Sequence, residues 1–266
     1  MVLRALLSAL VFILSQHTHA LERLELATEP FPPYFSNTLY QHGWMAHLVS
    51  EAFRSQNIVV RIHFTQWSRA LRGTKKGKYS AVLGAYKTTA RQQDFVFSAA
   101  LAKAHSGFFR HAKSNRDFTG DLALVAQDPI AVGRDYGEEQ LLINYGGIDY
   151  VELPNLSKAL QLLERRRISW VLGPQEVGEH IIRELALSEH LMFDSPALSE
   201  NTLHLAFARQ HPLSHYHLKA FRSGMQSLLK QGRVADILAQ HPLPLPQQQA
   251  VLSLLKQHYL NTGAPE

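Results

Sequence analysis

Residues Gly77–Leu101 read GKYSAVLGAYKTTARQQDFVFSAAL, and the parsing of this stretch decides the fold. Its centre, Ser80–Ala85 (SAVLGA), is a short apolar run between polar flanks, the pattern of a strand buried on both faces of a parallel sheet. Thr88 or Thr89 caps a helical turn that carries Arg91, and Phe95–Phe97 resumes as strand. Toward the N-terminus, Trp67–Lys76 reads as a short helix ended by Gly77. Before it, Ile58, Val60, Ile62 and Phe64 alternate with Val59, Arg61 and His63, the period of a strand with one buried face. Trp44, Leu48, Val49, Ala52 and Phe53 recur at helical spacing. Leu24 and Leu26 open a strand that stops at Glu29, because Pro30, Pro32 and Pro33 forbid both helix and ladder pairing.

The same alternation continues toward the C-terminus. Ser106–Arg110 is predicted as strand, and Pro129–Gly133 (PIAVG) as a strand entering a glycine turn. Leu156–Arg166 is a helix with Leu156, Leu160 and Leu163 on one face, followed by the buried strand Ser169–Gly173 and a helix over Val177–Leu187. Strands at Leu191–Phe193 and Leu203–Phe207 precede a long amphipathic helix marked by Leu218, Phe221, Met225 and Leu228. Gly232 breaks it, Val234–Leu238 adds a turn or two, and Pro242, Pro244 and Pro246 close the fold before a tail with some helical tendency after Gln247. Strands alternating with crossover helices predict an α/β protein with two parallel-rich layers.

Composition narrows the classes. The chain has 266 residues, 45% hydrophobic and 18% charged, which is the profile of an ordinary globular protein with a core large enough to need no staples. It has no Cys, which excludes a disulfide scaffold, a thiolate metal site and a cysteine nucleophile. Met1–Arg4, the apolar run Ala5–Leu14 and the closing Thr18-His19-Ala20 follow the order of a secretory signal peptide. Ten apolar residues are half of the roughly 20 that a membrane crossing takes. Cleavage is expected near Ala20, giving a soluble, exported chain. Loss of Arg4 from the 27 basic residues leaves 26 against 22 acidic ones, a formal +4 spread along the chain. Arg165-Arg166-Arg167 complements a helix C-terminus. No basic stripe with interleaved aromatics marks a nucleic-acid surface.

Five segments in order resemble the family 3 extracellular solute-binding proteins. They are Ala27–Phe35 (ATEPFPPYF), the TQWSRAL stretch with Gly77–Leu101, Ile130–Glu139 (IAVGRDYGEE), Leu156–Pro174 (LSKALQLLERRRISWVLGP) and Leu205–Leu238. The resemblance implies a two-lobed periplasmic binding protein fold, type II-like, with the ligand cleft between the lobes. Lobe one would be residues 21–108 with 205–241, lobe two 112–200, and residues 242–266 a C-terminal tail. The crossings would be Phe109–His111 and Asn201–His204. It also implies a periplasmic monomer that hands a small molecule to an inner-membrane permease or sensor.

A free amino acid presents a carboxylate, an ammonium and a side chain, and a planar guanidinium matches two carboxylate oxygens. Arg91 stands where the family's carboxylate-binding arginine stands, after Thr88 and Thr89, with backbone amides near Gly84 and Tyr86 completing an anion site. Tyr34, Trp67 and Tyr86 resemble the aromatic walls of such clefts. Glu29 ends the first strand, where its side chain can meet a ligand ammonium. Arg134, Asp135 and Tyr136 follow Gly133 at the turn expected to face the ligand. One departure stands out. The family's ammonium-pairing aspartate falls on Pro174 here, so the role passes to Glu29, Asp135, Gln175 or Glu176, or else the ligand is not a standard α-amino acid. His211, His215 and His217 read as surface histidines, and no cofactor or metal motif is present. Three functions remain: capture for an ABC-type transporter, sensing for a membrane signalling protein, or a dehydratase built on the same cleft with Glu29 or Glu176 as general acid. Capture is favoured, because recognition groups are present without a recognisable acid–base pair.

Overall fold

Ten short strands, mostly apolar on at least one face, pair into one curled sheet. The computed structural model describes residues 22–260, and the expected signal segment Met1–Ala20 lies outside them. In chain order the strands are β1 (Glu22–Thr28), β2 (Ile58–Phe64), β3 (Ala81–Tyr86), β4 (Phe95–Phe97), β5 (Ala102–His111), β6 (Ile130–Gly133), β7 (Tyr150–Leu153), β8 (Trp170–Pro174), β9 (Leu191–Phe193) and β10 (Ser199–Ala208). The main path of the sheet runs β2-β1-β3-β10-β5-β8-β6-β7. It contains two parallel blocks, β2-β1-β3 and β8-β6-β7, and the antiparallel pair β10-β5 joins them. Each block with its crossover helices forms one lobe.

The joint lies earlier on β5 than the sequence pattern suggests. Ala102–Ser106 pairs with Ser199–Leu203, while Phe109–His111 already pairs with β9. The side chain of Arg110 explains this. Its Nε donates to both carboxylate oxygens of the buried Asp194 at 2.7 and 2.9 Å, which ties the end of β5 into the second lobe.

The first lobe closes around helices Trp44–Arg54 and Ser214–Lys230, whose Phe53 and Phe221 rings lie 5.2 Å apart. Phe108, Phe118, Ile130 and Trp170 centre the second. Within the stretch expected as a C-terminal tail, the helical tendency is realised among the described residues. Leu245–Tyr259 is a helix whose Leu255 and Tyr259 are buried, and Tyr259 meets Phe221 edge-on at 6.1 Å. Helix Glu139–Tyr145 and strand β7, which the sequence pattern does not reveal, complete the edge of the second lobe.

Candidate functional site

In a parallel sheet the carboxyl ends of the strands are where a ligand crevice forms, and here both lobes present those ends to each other. Glu29 follows the last residue of β1, Tyr86 ends β3, and the loop 134–138 leaves β6. Between them lies a narrow cavity. Only about 30 Å³ of it can take the centre of a water molecule, so the walls stand close together. Phe31, Phe35 and Trp67 form the apolar side, and Glu29, Arg91 and Glu138 are its ionisable groups.

Local sequence explains this placement. Pro30 halts β1 so that Glu29, only 6% exposed, turns inward. Gly84 interrupts β3 with φ +85° and leaves room for the Phe35 ring, which a Cβ there would meet at 2.3 Å. Gly137 lets the second lobe close on Tyr86, whose ring would stand 2.8 Å from a Cβ at that position. Thr88 caps the short helix Thr89–Asp94 by accepting the Arg91 amide at 3.3 Å, and this orients the arginine.

Arg91 reaches across the lobes. It donates through Nη1 to the Tyr86 carbonyl at 3.2 Å and through Nη2 to the Asp135 carbonyl at 2.7 Å, and its Cζ lies 5.3 Å from the Trp67 ring centre. Trp67 Nε1 donates to the same Asp135 carbonyl at 3.0 Å. Asp135 takes a left-handed conformation, φ 61°, which an aspartate tolerates, and so exposes that carbonyl to both donors. Burial pulls the Arg91 pKa down and the neighbouring Glu138 pushes it back up. Guanidinium groups stay charged through such shifts.

The two acids are strongly perturbed. Burial pushes Glu29 up to about 8, against hydrogen bonds from the Tyr136 hydroxyl and the Trp67 amide. Glu138, 2% exposed, is also raised by burial, and its Oε1 accepts from Ser106 Oγ at 2.7 Å. Burial raises Tyr86 and Tyr136 well above the usual phenol range, which keeps both neutral donors.

Of the residues singled out from sequence, Glu29, Trp67, Gly84, Tyr86, Arg91 and Tyr136 line this cavity. Thr88 and Asp135 face an adjoining groove that Arg91 and Tyr136 share. Tyr34 lies elsewhere, because its hydroxyl is bound to the Lys103 carbonyl at 2.8 Å. Arg134 is exposed and turned to Glu152, 3.2 Å away. Gln175 bonds Glu179 on its own helix at 2.8 Å. Glu176 accepts from the His105 backbone and ring, which leaves it committed. His217 is buried, not at the surface, and contacts Glu22 at 2.7 Å. Among the described residues no cluster is arranged to hold a metal ion. Thr28, Phe31, Phe35, Gly137 and Glu138 line the cavity without having been singled out from sequence, and Glu138 is the charged one. Its only signal is the pair of glutamates after the glycine turn, and burial of one of two adjacent glutamates has no local signature.

No family model and no curated protein match this chain. Solved structures do. A histidine kinase sensor domain with similarity to periplasmic binding proteins superposes at TM-score 0.74 and 20% identity, over 83% of this chain and 96% of that one. A mutant of ArgBP from T. maritima gives 0.71 and 16%, over 82% and 94%. The GluR0 ligand-binding core from Nostoc punctiforme, in complex with L-glutamate, gives 0.68 and 16%, over 83% and 100%. The chain therefore has the periplasmic binding protein fold. Among the described residues no helix is long and apolar enough to cross a membrane.

Proposed function

We propose that the chain is an exported periplasmic receptor that captures a small carboxylate-bearing polar solute, an amino acid or close relative, and delivers it to an ABC-type transporter without chemical change. In this reading the blocks β2-β1-β3 and β8-β6-β7, each with its helices, move as lobes about β5 and β10, as hinged binders do. The observation that carries it is the Arg91 guanidinium, held at an interlobe cavity by main-chain carbonyls and stacked near Trp67. A carboxylate is a stronger acceptor than a carbonyl and matches the fork with two parallel bonds, so a ligand can take over those N–H groups as the lobes part and reclose.

Calorimetry on residues 21–266 with amino acids and small carboxylates tests this. Saturable 1:1 binding without product is expected, and its loss in Arg91→Ala. Failure of every ligand to bind would overturn the reading. Sensing for a membrane signalling protein draws support from the likeness to a kinase sensor domain, and a permease gene beside this one would favour transport instead. A dehydratase reading draws on the raised Glu29, since a general acid needs such a shift. Turnover of prephenate or arogenate would replace the receptor with that enzyme.

A further inference from the structure

We propose that the first lobe carries a basic face, made by the outer side of β1 and β2 with helix Trp67–Lys75 and the turn after it, that docks on an anionic phospholipid bilayer. This face does not depend on what the interlobe cavity holds. The formal charge, which a whole-chain count spreads along the sequence, is in fact concentrated. Residues 52–93 hold nine Lys and Arg and no acid, while the rest of the chain has 18 against 22 and is net negative. The excess therefore belongs to one lobe.

Strand alternation builds the face. Leu24 and Leu26 of β1 and Ile58 of β2 are buried in the main core, with Ile62 packed against it, so Arg23, Val59, Arg61 and His63 point to the opposite side. Arg23 and Val59 are register partners, as are Glu25 and Arg61. The helix lies on that side, where its Trp67 and Ala70 pack with Ala27 of β1 and Val82 of β3. β2 is the edge of the sheet, so its outer surface continues beside the helix. Tyr79 fills the join. Its ring lies 5.2 Å from that of His63 and stands against Gly73, where a Cβ would meet it at 2.7 Å. Arg69 and Lys76 flank Gly73 at one-turn spacing on the helix, and Lys78 Nζ lies 5.2 Å from the Tyr79 ring centre.

The cations of this face are uncommitted. Arg23, Arg61, Arg69, Lys76 and Lys78 are exposed, and among the described residues none has an ion-pair partner. Lys75 and Arg72 are instead turned to Asp94 at 2.7 Å and to Asp135 at 3.9 Å. Glu25, the acid of β1 on this side, is taken up by His63. Five like charges on one face repel one another, and an anionic surface offsets that repulsion. The chemistry of the face favours lipid over protein. Val59, 40% exposed, is its one large exposed apolar residue among those described, so it lacks the apolar centre of a protein interface. A bilayer needs no such centre. Its headgroups answer diffuse positive charge, with about fivefold in affinity for each Lys or Arg held within a Debye length of the surface.

The test is co-sedimentation of residues 21–266 with vesicles of phosphatidylcholine alone and of phosphatidylcholine with about one third phosphatidylglycerol, at low and high salt. Binding should be at least about tenfold tighter to the anionic vesicles and should vanish at about 0.5 M NaCl, where the charges are screened. The triple variant Arg61→Gln/Lys76→Gln/Lys78→Gln should bind them at least about tenfold more weakly. Arg165→Gln/Arg166→Gln/Arg167→Gln removes the same charge from exposed positions of the second lobe and should bind as the wild type does. Equal losses in the two triples would reduce the effect to net charge and overturn the inference. Absence of binding to the anionic vesicles would overturn it as well. Binding to soluble poly-L-glutamate but not to vesicles would assign the face to an acidic protein, with the same result. If the first triple melts early, Lys76→Gln/Lys78→Gln takes its place. It alters only the turn after the helix, and a loss below about fivefold there would again overturn the inference.

Discussion

Arg91 makes its hydrogen bonds to carbonyls at 3.2 and 2.7 Å, not to a carboxylate, so its donors can change partners without breaking an ion pair. Arg91→Ala should therefore cost about 2–3 kcal/mol of unliganded stability, the worth of two hydrogen bonds from a charged donor. It should also erase the stabilisation of about 2.7 kcal/mol that a ligand at one hundred times its dissociation constant confers, read as a thermal shift. Arg91→Lys should fail nearly as badly in calorimetry, because the charge survives and the fork does not. Glu29 makes a pH prediction. Its folded value, about 8, exceeds the ordinary 4.5, so the folded state holds the proton more tightly. The unliganded protein should lose stability as pH rises from about 4.5 to about 8, at a slope of up to about 1.4 kcal/mol per pH unit from this group. Glu138, raised by the same cause, adds in the same direction. Urea melts across that range should show the loss, and Glu29→Gln should flatten it. Arg91, Trp67 and Glu29 are legible in the sequence because each stands at the end of a recognisable strand or cap. Glu138 is not, since only the closing of the second lobe over Ser106 buries it.

Elements are legible in proportion to how regularly they are buried. β3, buried on both faces apart from Gly84, and helix Leu156–Glu164, with Leu156, Leu160 and Leu163 inward, announce themselves by period. Helix Glu139–Tyr145 buries only Leu142 and leaves Ile143 and Tyr145 exposed, so its pattern has no clean face. The C-terminal helix shows in the sequence only as a helical tendency, for another reason: Pro246 sits in its first turn, where a missing N–H costs nothing, so the prolines that close the preceding fold also start a helix. Tyr259→Ala should accordingly cost about 3 kcal/mol in a denaturant melt, as for other large buried rings; a value near zero would make the helix an appendage. Gly224 marks a close helix contact in the first lobe. A Cβ there would lie 2.0 Å from the Ala52 carbonyl oxygen, which is backbone and cannot rotate away. Gly224→Ala should destabilise by about 1–3 kcal/mol.

At the scale of the whole molecule, two lobes share one sheet and meet over a space that their own side chains nearly fill. The order of strands and helices is readable because parallel connections leave few topologies open. The exact joint is not, because β5 and β10 are each ten residues long and run from one lobe into the other without a break in strand character. The contact between lobes has a practical consequence. The chain has three tryptophans; Trp44 and Trp170 are 2% and 1% exposed inside separate lobes, and Trp67 alone spans the gap through its bond to the Asp135 carbonyl. In a receptor that hinges as proposed, its indole would gain water as the gap widened and lose it as the gap narrowed, while the other two supplied a constant background. Intrinsic emission would then be a label-free gauge of that motion, blue when shut and red when ajar, and stopped-flow traces that show no such colour change on ligand addition would speak against hinging.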